Sequence, residues 1–196
     1  NEVPPGGAVF QSWDIAFKTG QNNDYTVCIT AVEHEGNIYI IDIYRDKIDI
    51  GSLTLEIITR SQMFQCKNII IEAVTSTELL LKNLVARGIH PTKYIPKDSK
   101  EIRANYASEP LEYGKIFLKR NAPWLDDFRA EIVSFPYGRH DDQVDAFSQL
   151  ILELKQKTYR TSTLERVNAM ANYAKSEEYQ VRKYARFKRS GFGKLV

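Results

Sequence analysis

The chain has 196 residues, a formal net charge of +2 and 27% charged residues, which suits one sizeable core with an appendage in an ordinary globular protein. No apolar run approaches the roughly 20 residues needed to cross a bilayer, so no membrane partner is expected. The two cysteines, Cys28 and Cys66, have no CxxC spacing and no histidine at zinc-site spacing. That pattern excludes a disulfide framework and a structural zinc and points to a reducing, cytoplasmic compartment.

The start, Asn-Glu-Val-Pro-Pro-Gly-Gly, has neither a basic n-region nor an apolar h-region, so no secretory signal is expected. Nine basic and three acidic residues lie from Thr158 onward, giving that segment +6 and the preceding 157 residues −4. We therefore expect a slightly acidic body over residues 1–157 and a basic extension over 158–196.

In chain order, Val9 to Phe17 reads as a strand, and Lys18 to Asp24 as a turn rich in Gly, Asn and Asp. Tyr25 to Val32 is a second strand, His34 to Asn37 a tight turn, and Ile38 to Tyr44 a third strand. Connections this short allow only an antiparallel meander. Asp49 or Ser52 caps a helix running to about Gln65. Asn68 to Ile71 is a short, wholly apolar run ending in Glu72, the pattern of a buried parallel strand.

Thr77 to Arg87 is a helix closed by Gly88, and Thr92 to Ile95 a short strand. Lys97 to Glu112 is helical, Lys115 to Leu118 extended, and Pro123 to Val133 helical. Phe135 to Gly138 breaks that helix, and the last core helix runs from about His140 to Lys157. Three antiparallel strands followed by alternating α and β predict an α/β mixed sheet with helices on both faces.

The chemistry concentrates at the start of the last helix. A histidine and three aspartates fall within six residues, His140 to Asp145. Asp141 or Asp142 sits at the first turn, with Asp145 one turn on. Carboxylates this close repel unless a positive charge lies between them, and a divalent cation with oxygen ligands is the usual answer. Asp14 interrupts an apolar strand, where an unpaired carboxylate is costly. Glu72 ends the buried fourth strand, the edge at which open α/β sheets place their sites. With the first and fourth strands adjacent, three acids from distant segments would converge, as a two-metal phosphodiesterase requires.

These residues resemble the C-terminal nuclease domain of the large terminase subunit of tailed bacteriophages. The resemblance runs from Ser12-Trp13-Asp14-Ile15-Ala16-Phe17-Lys18-Thr19-Gly20 and Asn23-Asp24-Tyr25 through Ile71-Glu72, Gly114-Lys115-Ile116 and Trp124-Leu125. It ends in Phe135-Pro136 and His140 to Ala146, covering about residues 8 to 155. It implies a ribonuclease H-like fold and an endonuclease that hydrolyses duplex DNA with two Mg2+ or Mn2+ ions.

Carried over by position, Asp14, Glu72 and Asp142 are the catalytic acids and metal ligands. Asp141 substitutes for Asp142 or holds the second ion; Asp145 and His140 are auxiliary. Lys18, Lys97, Lys100 and Arg103 flank the expected site and could meet phosphate, as could Arg186 and Lys188 in the basic extension. The resemblance also implies an ATPase motor domain, the portal and a small terminase subunit as partners, in a bacterial cytoplasm. No GxxxxGK[ST] phosphate loop occurs, so this chain is not itself the motor.

Two rivals stand beside this reading. Another ribonuclease H-like nuclease, such as a junction resolvase, would share the acids but lack the first hairpin's motif. A non-catalytic DNA-binding or assembly remnant would not need the intact acids. A PD-(D/E)xK nuclease is disfavoured, because Glu72 is followed by Ala-Val with no Lys two residues on.

Overall fold

A computed structural model describes residues 3–16 and 25–175. The strands are β1 (Ala8–Asp14), β2 (Thr26–His34), β3 (Asn37–Asp46), β4 (Asn68–Glu72), β5 (Thr92–Tyr94) and β6 (Ile116–Leu118). The helices are α1 (Ile50–Met63), α2 (Glu78–Val85), α3 (Lys100–Glu112), α4 (Leu125–Ser134) and α5 (Asp142–Lys175). The strands form a 6-stranded sheet in the order β5-β4-β1-β2-β3-β6. β1, β2 and β3 are the expected antiparallel meander, while β4 joins β1, β5 joins β4 and β6 joins β3 in parallel.

Alternation along the strands divides the core between two faces. Trp13, Cys28, Ile69 and Ile71 cluster with Leu53 and Ile57 of α1 and Leu80, Leu81 and Leu84 of α2. The intervening residues face the other way. There Ser12 meets Gln149 of α5, and Arg45 of β3 meets Glu131 of α4. α4 and α5 are joined by aromatic edges, with the Phe128 and Phe147 rings 5.9 Å apart.

Asp49 caps α1 by accepting from the Ser52 amide (3.1 Å), settling which of the two candidate residues is the cap. α3 starts later than its sequence suggests, at Lys100, because the Ser99 side chain accepts from the Ile102 amide and sets the cap there. α5 is much longer than the expected 140–157 segment.

The chain divides into two compact units, residues 1–153 and 154–196. The second, as far as it is described, is the continuation of α5 to Lys175. Its Tyr159, Leu164, Val167 and Met170 are exposed.

Candidate active site

Register builds the site. Trp13 lies opposite Ile71 in the parallel β1–β4 ladder, so the next residue on each strand is a carboxylate, Asp14 beside Glu72. Both alternate onto the face that α5 covers. α5 brings Asp142 at its first position and Asp145 one turn later, and the Asp145 amide donates to the Asp141 carbonyl (2.9 Å). Acids in a first helical turn are favoured by the exposed amides there.

Asp14 keeps part of its surface in contact with solvent but is crowded by protein. Burial, followed by the charges of Asp145 and Asp142, pushes its carboxyl well above the ordinary aspartate value; Lys100 opposes this and Glu72 adds to it. Among the described residues no hydrogen bond or ion pair reaches the Asp14 carboxylate. Burial also raises Glu72, with Arg103 pulling it down and Asp145 pushing it up. These are the marks of like charges gathered in a poorly hydrated place.

Asp142 is buried. Its Oδ2 accepts from the amide of Tyr25, the residue just before β2 (3.2 Å). His140 Nδ1 lies 3.8 Å from the same oxygen, beyond hydrogen-bond reach, and the His140 ring meets the edge of Tyr25 (5.4 Å). The Arg45 guanidinium stacks over Tyr25, 4.2 Å from the ring centroid.

Two cations from α3 enter the cluster. Lys100 Nζ is 2.7 Å from Asp141 and 2.6 Å from Asp145. Arg103 donates to Asp145 (2.8 Å) and to the Asp98 carbonyl (3.1 Å). Burial by itself would lower the Lys100 ammonium, but its bonds to Asp141 and Asp145 override that and hold it above its usual value.

The start of α5 is fixed from behind. Glu131 of α4 accepts from the Gln143 amide (2.6 Å) and the Gln143 side chain (2.7 Å), and pairs with Arg45 at 3.4 Å. Sequence reasoning did not find Glu131, Gln143, Arg45 or Tyr25 as part of the site. Glu131 and Arg45 sit in unremarkable helix and strand patterns, and only the packing of α4 against β3 and the start of α5 brings them to Gln143 and Tyr25.

The structure thus gathers Asp14, Glu72, Asp141, Asp142, Asp145, His140, Lys100 and Arg103. Lys97 is exposed in the loop before α3. Lys18, Arg186 and Lys188 lie outside the described residues.

Among the described residues, no group of three His, Cys, Asp or Glu side chains is drawn together as a cage for an ion. Asp141 and Asp145 are engaged by Lys100 and Arg103 instead. The chemistry of the donor set nevertheless fits a hard divalent cation: the acids offer only oxygens, and Asp14, crowded by like charges, has no ion pair with a described cation.

A mixed sheet in this order, with acids at the ends of β1 and β4 and at the start of the last helix, is a ribonuclease H-like nuclease fold. The chain belongs to the Terminase RNaseH-like domain family, whose family model matches residues 11–154.

Solved structures agree on the fold. The large terminase nuclease domain of Thermus phage P74-26 aligns with a TM-score of 0.57 at 19% identity, over 76% of this chain and 80% of that one. The large terminase nuclease of thermophilic phage G20c with bound magnesium gives 0.60 at 19% identity, over 76% and 82%. The large terminase of another thermophilic bacteriophage, solved with ADP, gives 0.56 at 14% identity. That match covers 76% of this chain but 40% of the longer relative. No curated protein matches the sequence.

Proposed function

We propose that this terminase nuclease domain is a divalent-metal-dependent endonuclease that hydrolyses phosphodiester bonds of double-stranded DNA. The observation that carries the reading is the meeting of Asp14, Glu72 and Asp142, from three distant segments, at one sheet edge, with Asp14 crowded by like charges. The G20c nuclease, solved with magnesium, zinc and cobalt in separate crystals, supports the same conclusion.

Asp14, Glu72 and Asp142 would hold two Mg2+ or Mn2+ ions, with Asp141 as a further ligand. When bound, such ions acidify a water and neutralise charge on the departing oxygen. The chain's own groups do the positioning. The Tyr25 amide fixes one oxygen of Asp142, and the Glu131–Gln143 contact fixes the helix that carries it. Lys100 and Arg103 are poised to meet phosphate once Asp141 and Asp145 turn to a cation, and His140 sits where it can orient water or phosphate. Lys97 extends the basic rim for the duplex, and the partners in this reading are an ATPase motor, the portal and a small subunit.

The test is cleavage of supercoiled plasmid with Mn2+, Mg2+ or EDTA, beside Asp142→Ala. Metal-dependent nicking and linearisation abolished by the substitution is the expected result. Persistent activity in Asp142→Ala would move that role to Asp141 or Asp145. No cleavage by the folded wild-type chain with either metal would favour a non-catalytic DNA-binding module.

A further inference from the structure

Gln149 is a buried polar side chain that the site as described above does not use. Its Nε2 lies 3.0 Å from Ser12 Oγ, 3.3 Å from the Trp13 carbonyl and 3.3 Å from the Ile70 carbonyl. Two of these three acceptors are carbonyl oxygens, which can only accept, so the amide nitrogen must face them.

The placement of those carbonyls is informative. Trp13 immediately precedes Asp14, and Ile70 stands two residues before Glu72 on the same face of its strand. Gln149 itself lies seven residues after Asp142 and four after Asp145, the spacing of a single helical stripe. One amide therefore ties the turn of α5 behind the helix-borne acids to both strands bearing the other two.

We propose that Gln149 is a positioning residue of the carboxylate cluster. Resting on the nuclease reading above, it sets the depth and rotation of α5 against the ends of β1 and β4, so that Asp142 and Asp145 stay in register with Asp14 and Glu72. Hydrophobic packing alone is a weak rule for this. Ala146, Leu150 and Ile151 are buried beside Gln149, but apolar contacts have no direction and tolerate small slides. A displacement of about 1 Å at a reacting centre can cost on the order of 100-fold in rate.

The decisive variant is Gln149→Met, which keeps the length and apolar contacts and removes the donor. Two readouts are needed on the full chain. One is amide hydrogen exchange without metal; the other is Mn2+ affinity by calorimetry. The expected result is exchange at least tenfold faster, by the fold-change read, at residues 12–14 and 70–72 with the rest of the sheet unchanged. Mn2+ binding should weaken at least tenfold alongside.

Unchanged exchange at those strand ends, or a uniform rise across the whole sheet, would overturn the proposal, the latter because it marks a general loss of stability. Wild-type Mn2+ affinity in a variant with loosened strand ends would also overturn it. If the wild-type chain binds no Mn2+, the metal reading fails, and the exchange measurement still decides the role of Gln149. Should Gln149→Met not fold, Gln149→Glu preserves the shape while opposing an oxygen to both carbonyls, and the same two readouts apply.

Discussion

Lys100 places its ammonium 2.6 Å from Asp145 and 2.7 Å from Asp141, so a side chain of α3 supplies the positive charge at the mouth of the acidic cluster. A cation arriving from solvent has to compete with it for Asp141. Lys100→Met should therefore tighten Mn2+ binding, by up to about fivefold, the equivalent of about 1 kcal/mol for a partly exposed pair. Calorimetric titration of the two proteins at equal ionic strength checks this, and an unchanged or weaker affinity would refute the competition.

Asp14 carries a pH dependence of the metal-free chain. Its carboxyl is raised in the folded state by burial and by Asp145 and Asp142, so between the ordinary aspartate value and the raised one the folded chain binds more protons than the unfolded chain. Stability then falls as pH rises through that window. Asp14→Asn should raise the Tm in EDTA at pH 7 and flatten its decline with pH. One pKa unit corresponds to about 1.4 kcal/mol, and each kcal/mol moves the Tm of a chain this size by roughly 2–4 °C. An upward shift is expected by differential scanning calorimetry; a lower Tm would contradict the assignment.

Glu131 holds the α5 start from behind, and its removal leaves Arg45 facing a buried gap. Glu131→Ala should cost roughly 3–5 kcal/mol, the range for breaking a buried charged contact from one side. Glu131→Gln keeps one acceptor for the Gln143 amide and should cost less. Urea denaturation of both variants measures the difference, and equal losses would show that the carboxylate's charge is irrelevant.

Arg103 is nearly buried and bridges Asp145 to the Asp98 carbonyl. Arg103→Met should destabilise the chain by about 1.5–3 kcal/mol, as for a lost hydrogen bond to a charged group. Arg103→Lys should recover only part of this, since an ammonium cannot reproduce the guanidinium's fork. Tm values for the two variants decide it, and full recovery by lysine would show that charge alone suffices.

Much of the framework was legible because local rules agree with the tertiary result. The β1–β3 meander follows from short polar turns between β-branched runs, and β4 from the Asn68–Ile71 run capped by Glu72. The dense acids of His140 to Asp145 made the candidate site visible, because four titratable groups in six residues have few structural uses. The start of α3 falls three residues later than the pattern from Lys97 suggests, because the Ser99 side chain accepts from the Ile102 amide and sets the cap there.

The sequence by itself determined where the candidate acids fall: apolar runs put Asp14 and Glu72 on strands, and helical spacing puts Asp142 and Asp145 on one stripe. Only the tertiary structure decided which partners those acids have. Lys100 and Arg103 answer Asp141 and Asp145, Tyr25 answers Asp142, and Gln149 spans β1, β4 and α5 across separations of 79 to 137 residues. Such contacts leave no local periodicity to read. They follow from parallel pairing of β1 with β4, which sets Trp13 opposite Ile71 and thereby brings the two acids that follow them side by side.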